Sequence, residues 1–231
     1  MNNITGFIKD ELLCHGADLV GFGDLTQLPP DIRCSLPVGI SVAVKYPKEV
    51  IKGIADMPTK EYYDQYNILN KKLDMLVTLG AEALQMLGYE AVAQTMDYVK
   101  QRETVNETRL PHKTVATRAG LGWIGKSALL VTEKYGSMVR LSSILTDAPL
   151  KTSKPVNNSK CGNCLICTDA CPAGAVLGKN WSVETSRDEF FEAPLCRKVA
   201  RERAMQGFGI EITQCGKCIV VCPYTQKYLN E

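Results

Sequence analysis

Eight of the ten cysteines lie in the last 71 residues, and their spacing is typical of iron-sulfur cluster ligands. The run CGNCLICTDACP, residues 161–172, places four thiols at C-x2-C-x2-C-x3-C-P. In bacterial ferredoxins the first three thiols of such a run hold one 4Fe-4S cluster, and the fourth binds a second cluster. The other run, CGKCIVVCP at residues 215–223, supplies only three thiols. A complete second cluster therefore needs a cysteine from outside both runs.

Cys196 completes the second set of ligands, because it is the only cysteine after Cys171 that lies outside the two runs. The spacing then predicts two 4Fe-4S clusters with exchanged ligands. The first set is Cys161, Cys164, Cys167 and Cys222, and the second set is Cys171, Cys196, Cys215 and Cys218. The two remaining cysteines, Cys14 and Cys34, are predicted to be small buried side chains without a catalytic role.

Structural zinc is the alternative to clusters, because zinc also takes four thiolates and favours C-x2-C pairs. Zinc sites do not require three closely spaced thiols and a distant fourth followed by proline, a pattern that this chain carries twice. A disulfide framework is disfavoured because the N-terminus, MNNITGFIKDELLCHG, has helical spacing of its apolar residues and no features of a secretory signal. We therefore expect a cytoplasmic protein whose thiols bind metal.

Composition and charge narrow the classes of partner. Charged residues make up 23% of the chain and hydrophobic residues 45%, which is ordinary for a soluble globular protein. No apolar run approaches the roughly 20 residues of a membrane span, so we expect no membrane association. Eight thiolates and two oxidised cluster cores would change the formal charge of +2 to about −2. This charge argues against nucleic acid as a partner.

The elements that must position the cysteines alternate between helices and strands. The patterns predict helices over residues 3–15 and from Met57-Pro58-Thr59 to Gly88, and strands over 17–23, 38–46 and 89–95. This alternation indicates an α/β layer structure. The polar segment from Lys151 to Lys160 contains a proline and has no periodicity, which is typical of a linker. We therefore predict an α/β domain over residues 1–155 and a cluster domain over 156–231.

Between these parts, the pattern predicts a short helix over residues 111–119 and a strand over 128–132. Residues 138–145, after the Tyr135-Gly136 turn, are predicted to pair with that strand as a hairpin. Residues 188–205 form a predicted helix that carries Cys196 and four cations, Arg197, Lys198, Arg201 and Arg203. An RNA-facing helix is one interpretation, and cations that screen the clusters or face solvent are the other.

Paired clusters move electrons singly, so we expect an electron-transfer role and a low-potential donor such as ferredoxin or flavodoxin as a partner. A ferredoxin needs only about 60 residues for this task. The preceding residues are therefore expected to hold the acceptor of the electrons. By itself, the GLGWIG segment at residues 120–125 follows a predicted helix and lacks the context of a dinucleotide-binding loop, which favours a tight turn.

The segment RAGLGWIGK at residues 118–126, together with Tyr135-Gly136-Ser137, Thr146-Asp147 and the cysteine runs, resembles the core of the epoxyqueuosine reductases. These are cobalamin-dependent iron-sulfur enzymes of tRNA modification, related to corrinoid reductive dehalogenases. The resemblance implies an α+β protein, with a nitroreductase-like α/β domain followed by a small ferredoxin-like double 4Fe-4S domain. It also implies a bound cobalamin that receives low-potential electrons.

The resemblance assigns roles to individual residues. Those expected to contact cobalamin are Arg118, Gly120, Gly122, Trp123, Ile124, Gly125 and Lys126. The position of the family's catalytic aspartate falls on Asn106, with Glu107 beside it. An asparagine cannot donate a proton as a carboxylic acid does. The chain also ends before the helical-repeat domain with which the family grips tRNA.

From these departures we expect a small-molecule substrate or a corrinoid-protein substrate and not tRNA. The alternative is an electron-transfer subunit that docks a partner enzyme and binds no corrin. Both hypotheses require the two clusters, and they differ in whether the N-terminal part binds cobalamin.

Overall fold

The computed structural model describes residues 3–101 and 108–231. Its helices are α1 (Ile4–Cys14), α2 (Lys48–Lys52), α3 (Lys60–Met86), α4 (Met96–Gln101), α5 (His112–Arg118), α6 (Ile166–Asp169), α7 (Ala193–Phe208), α8 (Lys217–Val220) and α9 (Pro223–Leu229). Its strands are β1 (Leu19–Asp24), β2 (Val38–Lys45), β3 (Ala91–Ala93), β4 (Trp123–Ile124), β5 (Leu130–Val131) and β6 (Val139–Thr146). A short 3-10 helix, Arg187–Glu189, precedes α7. Within the described ranges, no helix combines the length and apolar character needed to cross a membrane.

Four strands form the main sheet, in the order β1-β2-β6-β3. β1 and β2 run antiparallel with Leu19 opposite Ala43, and β3 and β6 run antiparallel with Ala91 opposite Thr146. β2 is buried along its length except at its last residue, Lys45. Burial of both faces explains the nearly continuous apolar sequence of this strand. The mixture of helices and sheet confirms the predicted α/β character of the chain.

Helix α3 is amphipathic, begins directly after the predicted start at Met57-Pro58-Thr59, and ends at Met86, just before the predicted stop at Gly88. The Tyr62 N–H donates to Thr59 Oγ1 at 3.2 Å, which caps its first turn. Its buried stripe includes Leu69, Leu73, Leu76 and Leu84. A Cβ at Gly80 would lie 2.6 Å from Ile144 Cδ1. The glycine that interrupts the stripe therefore allows the helix to approach β6 closely.

The predicted hairpin between residues 128–132 and 138–145 is wrong. β5 pairs with β4, where Val131 lies opposite Trp123, and β6 joins the main sheet beside β2 and β3. The tight turn itself forms, because Thr132 and Gly136 exchange backbone hydrogen bonds of 2.8 and 3.0 Å. The last five residues of β6 are buried. Such a strand is stabilised more by neighbours on both edges than by the two-residue β5.

The chain divides into two compact units, and each consists of three segments. The first unit comprises Met1–Val44, Leu69–Leu121 and Arg140–Val156, and the second comprises Lys45–Ile68, Gly122–Val139 and Asn157–Glu231. The predicted boundary after residue 155 lies next to the last transition between the units. The prediction of two consecutive domains, however, does not include the two earlier segments that belong to the second unit. The described cluster cysteines all lie in the second unit.

The predicted linker has no regular secondary structure, but its first half is fixed to the first unit. The Lys151 N–H donates to Thr5 Oγ1 at 2.8 Å, and the Ser153 N–H donates to the Phe22 carbonyl at 2.8 Å. The Val156 N–H donates to the Thr117 carbonyl at 2.9 Å. These bonds bring the segment alongside β1 and α5. It therefore packs as an ordered strap and not as a loose connection.

Helix α5 contributes a neutral histidine to the interior of the first unit. The Nδ1 atom of the His112 ring lies 2.9 Å from Ser143 Oγ. Burial, with a smaller contribution from the nearby Arg140 cation, lowers the pKa of His112 to about 4 from the ordinary value of 6.5. The unfolded chain therefore binds a proton on this histidine in a pH range where the folded chain does not.

We expect the free energy of unfolding to fall as the pH is lowered from about 6.5 towards 4, because protonation of His112 is then favoured only in the unfolded state. Part of the residue is accessible to solvent, so the loss should be limited to about 2 kcal/mol. Denaturant unfolding at a series of pH values measures it. His112→Asn, which keeps a neutral polar group, should show a flatter profile over this range. An unchanged slope in that variant would contradict the assignment.

Candidate metal centre

Both cysteine runs fold as a tight turn followed by a short helix. Cys161 and Cys215 are each followed by a glycine with a positive φ, Gly162 at 54° and Gly216 at 74°. A left-handed residue at this place turns the chain sharply at little steric cost only when it is glycine. The turn leads into α6 in the first run and α8 in the second. The shared C-G-x-C sequence therefore produces the same local backbone twice.

The structure brings together the first predicted set of ligands. Burial, with smaller contributions from the neighbouring Cys161, Cys222 and Cys164, raises the pKa of the Cys167 thiol to about 11. Burial also raises the pKa of Cys222, and Cys161 contributes to the increase. The thiol after α8 thus lies with the thiols of the first run. This grouping of thiols is the one that the predicted exchange of ligands requires.

The second set is also brought together. Burial raises the pKa of Cys196, in the middle of α7, to about 11, with further contributions from Cys171 and Cys215. Burial raises the pKa of Cys218 most strongly, and Cys215, Cys196, Cys167 and Cys171 add to it. Cys167 belongs to the first set, so the two groups of thiols are neighbours. Raised pKa values also mean that iron binding must displace protons from these thiols.

The described thiols form no site for a single metal ion. None of the described cysteines is in a disulfide, and in the described ranges no three His, Cys, Asp or Glu side chains could together hold a single metal ion. In a 4Fe-4S cluster each of four thiolates binds a different iron. The two neighbouring sets of thiols fit such clusters in donor type and number.

Trp123 connects the glycine-rich segment to the first cysteine run. Its side chain is 0% exposed, and its Nε1 donates to Cys161 Sγ at 3.4 Å. The Tyr224 ring meets the indole edge to face, with centroids 4.9 Å apart. Ile124 and Lys126 are buried as well, with 6% and 3% of their surfaces exposed. The residues predicted to contact a cofactor from this segment therefore pack within the second unit.

The glycines of this segment allow two strands to approach each other. A Cβ at Gly122 would lie 2.1 Å from the Val131 carbonyl oxygen. A Cβ at Gly125 would lie 2.8 Å from Val131 Cγ2 and 3.6 Å from Cys161 Sγ. Protein atoms thus occupy the space that a side chain would need. These two glycines do not form an open cradle for a flat cofactor.

Arg118 and Gly120 lie in the first unit, against the strap at residues 151–156. Arg118 Nη2 donates to the Val156 carbonyl at 3.3 Å, and burial lowers the pKa of its guanidinium. Gly120 has a φ of +71°, and a Cβ there would lie 3.0 Å from the Lys154 carbonyl oxygen. Cobalamin contacts for these residues stay a prediction. Asn106 and Glu107, the predicted catalytic positions, lie outside the described residues.

The sequence interpretation missed two residues that follow the last cluster cysteine. The backbone N–H groups of Tyr224 and Thr225 and the Thr225 hydroxyl all hydrogen-bond the Cys222 thiol. The Ser137 N–H donates to Thr225 Oγ1 at 3.1 Å. The sequence did contain a signal for them, since Pro223 directly follows Cys222 and proline often begins a helix. The first N–H groups of a helix have no partner within it and are free to bond the preceding thiol.

The basic helix α7 uses two of its cations in local contacts. Arg201 pairs with Glu211 at 3.0 Å, and Arg203 donates to the Asp56 carbonyl. These contacts favour the interpretation that the cations serve the second unit itself.

Comparisons with known proteins agree with the resemblance in sequence. Residues 160–225 match the 4Fe-4S double cluster binding domain. The chain is similar to epoxyqueuosine reductase of Listeria monocytogenes, with 32% identity over 71% of this chain and 39% of that protein. For the enzyme of Lactococcus garvieae the identity is 30%, over 81% of this chain and 51% of that protein. The chain thus spans about half the length, or less, of these relatives.

Solved structures extend the likeness to the fold. A reductive dehalogenase structure that suggests a mechanism for B12-dependent dehalogenation has a TM-score of 0.72 and 17% identity, over 94% of this chain and 31% of that one. Epoxyqueuosine reductase with an epoxyqueuosine-modified tRNA stem loop has a TM-score of 0.59 and 20% identity, over 96% of this chain and 65% of that one. At these identities the likeness shows a shared fold. The chain is therefore similar to the epoxyqueuosine reductases over part of their length, and its C-terminal part matches a 4Fe-4S double cluster binding domain.

We expect Gly122→Ala to destabilise the protein by about 2–3 kcal/mol, because its new methyl group would overlap the Val131 carbonyl. Thermal unfolding of anaerobically prepared protein measures the change. Gly53→Ala is a matched control, since Gly53 has helical backbone angles and its Cβ would lie 3.3 Å from the Glu49 carbonyl oxygen. Equal melting temperatures for the two variants would refute the packing role of Gly122.

Proposed function

We propose that the chain is an iron-sulfur oxidoreductase that passes single electrons through two 4Fe-4S clusters to a bound cobalamin. The observation that carries the proposal is the proximity of two complete sets of four thiols, linked by the neighbouring Cys167 and Cys218. Adjacent clusters allow an electron to cross from one to the other. The match of residues 160–225 to a double cluster domain supports this arrangement.

We assign the ligands as the spacing predicts them. Cys161, Cys164, Cys167 and Cys222 hold the first cluster, and Cys171, Cys196, Cys215 and Cys218 hold the second. The electrostatic neighbours of Cys167 support the first set, and those of Cys196 support the second. Burial of the Cys167, Cys196, Cys218 and Cys222 thiols limits the access of water to their sulfurs, which favours low reduction potentials.

Cobalamin is supported by the relatives and less by the glycines of this chain. One protein of similar fold is described as B12-dependent. Gly122 and Gly125, in contrast, are explained by packing against Val131. We keep a nitroreductase-like α/β domain and its cobalamin as parts of the proposal. An electron-transfer subunit without a corrin is the alternative, and the glycine packing favours that alternative.

The substrate is proposed from chemistry and not from the relatives alone. A small molecule or a corrinoid protein is the proposed substrate, and a ferredoxin or flavodoxin is the proposed donor. The solved epoxyqueuosine reductase with a modified tRNA stem loop weakens the expectation that nucleic acid is not a partner. Against tRNA, Arg201 and Arg203 of the basic helix are already engaged by other groups in the second unit. Catalytic roles for Asn106 and Glu107 remain part of the proposal.

Anaerobically purified protein should contain about eight irons per chain. Cys196→Ser should lose about four of them, because serine cannot replace the thiolate that completes the second cluster. Iron and sulfide assays measure the content. Cys14→Ser is the control and should keep about eight, since Cys14 is exposed at the end of α1, contrary to its predicted burial. Full iron content in Cys196→Ser would remove that cysteine from the ligand set.

Anaerobic titration with cobalamin tests the proposed acceptor. Reconstituted protein should bind cobalamin and change its absorption spectrum, and a low-potential reductant should then alter the cobalt spectrum. Binding without a spectral response to reduction would mean that the clusters do not pass electrons to the bound corrin. Absence of binding, with both clusters intact, would leave the electron-transfer subunit as the function.

A further inference from the structure

Hydrogen-bond donors are directed at two cysteines of the first set, Cys161 and Cys222. In the first set, Cys161 accepts a bond from the Trp123 indole, and Cys222 accepts bonds from the Thr225 hydroxyl and two backbone N–H groups. In the second set, the pKa values of the Cys196 and Cys218 thiols are raised by burial and by neighbouring thiols within the described ranges. Hydrogen bonds to cluster sulfurs are one of the main controls of reduction potential.

The Trp123 N–H is held against the sulfur by its surroundings. The ring is fully buried, and its backbone is paired in the β4–β5 ribbon. Tyr224 packs on the indole from the side of Cys222. Because water cannot reach the ring, the sulfur at 3.4 Å is the partner of this N–H. Removing the N–H would therefore remove a bond that solvent does not replace.

The Thr225 hydroxyl is oriented by a second bond. Its oxygen accepts the Ser137 N–H at 3.1 Å, which directs the hydroxyl hydrogen towards Cys222. Thr225 is 0% exposed. A Cβ at Gly136 would lie 2.3 Å from Thr225 Oγ1, so only glycine allows this approach. The Tyr135-Gly136-Ser137 motif thus fixes the donor for Cys222.

Charged side chains near this site offset each other. The Lys160 ammonium lies 5.4 Å from the centroid of the Trp123 ring, and Glu133 Oε1 lies 2.5 Å from the same ammonium. Both side chains are at least half exposed, so solvent screens the remaining charge. The hydrogen bonds therefore affect the electrostatic potential at the nearby thiols more than the Lys160 and Glu133 charges do.

We propose that Trp123 and Thr225 are positioning residues that raise the reduction potential of the cluster at Cys161, Cys164, Cys167 and Cys222 above that of its neighbour. A reduced cluster has one more negative charge than an oxidised one. Donors aimed at its thiolates therefore stabilise the reduced state more. The inference rests on the proposed pair of clusters and adds the order of their potentials.

Redox titration followed by electron paramagnetic resonance tests this order. Trp123→Phe keeps a ring but has no N–H, and Thr225→Val keeps the shape but has no hydroxyl. Each substitution should lower the midpoint of the higher-potential couple by about 59 mV, which is a tenfold change in its one-electron equilibrium. The midpoint of the lower-potential couple should stay unchanged. Trp181→Phe, at the only other tryptophan, and Thr225→Ser, which keeps the hydroxyl, should show wild-type midpoints.

Iron content separates the possible failures. About eight irons with unchanged midpoints in both Trp123→Phe and Thr225→Val would overturn the tuning role and leave the proposed function standing. A wild-type protein without two clusters would overturn the proposed function itself. If both variants lose iron, the wild-type protein labelled with ¹⁵N-tryptophan shows whether the indole N–H contacts the cluster. Its reduced spectrum should show hyperfine coupling to the indole nitrogen, and absence of that coupling would overturn the inference.

Discussion

Four of the thiols that are proposed to hold iron, Cys167, Cys196, Cys218 and Cys222, lie in buried surroundings among other thiols, and both surroundings oppose the negative charge that iron binding requires. Cys218 meets this constraint twice, since its pKa is raised by thiols of both sets. Cationic iron offsets the charge within each cluster. The protein adds directed N–H and O–H donors around Cys161 and Cys222. Much of the second unit can be understood as the means of placing those donors.

The cysteine sets were predictable because ligand spacing reflects the geometry of the cluster and depends little on the remaining fold. Cys196 required only elimination among ten cysteines. Strand partners were less predictable, because the periodicity of residues 138–145 gives the burial of a strand but does not identify its neighbours. The hairpin prediction failed for this reason. The division of both units into three segments has no local signal either, since the segments 45–68 and 122–139 belong to the second unit only through contacts distant in sequence.

The glycine-rich segment shows how a motif can be recognised correctly and explained differently. Its resemblance to the epoxyqueuosine reductases agrees with the relatives found by comparison. The close approach of backbone that Gly122 allows, however, is to Val131 and not to a bound ring. Trp123 is enclosed and directed at a sulfur. Glycine in a motif indicates that something approaches closely, and only the structure identifies what approaches.

The second unit begins at Lys45, and the last proposed ligand, Cys222, lies near the other end of the chain. During synthesis on the ribosome, residues 45–68 and 122–139 therefore emerge long before the thiols beside which they finally pack. Completion of the two proposed clusters would have to follow translation of Cys218 and Cys222. The early segments need to stay soluble in the meantime, and a fragment restricted to residues 157–231 would lack the tryptophan that contacts Cys161. Maturation of the proposed clusters is consequently coupled to segments far apart in sequence and is not the independent maturation of a module at residues 157–231.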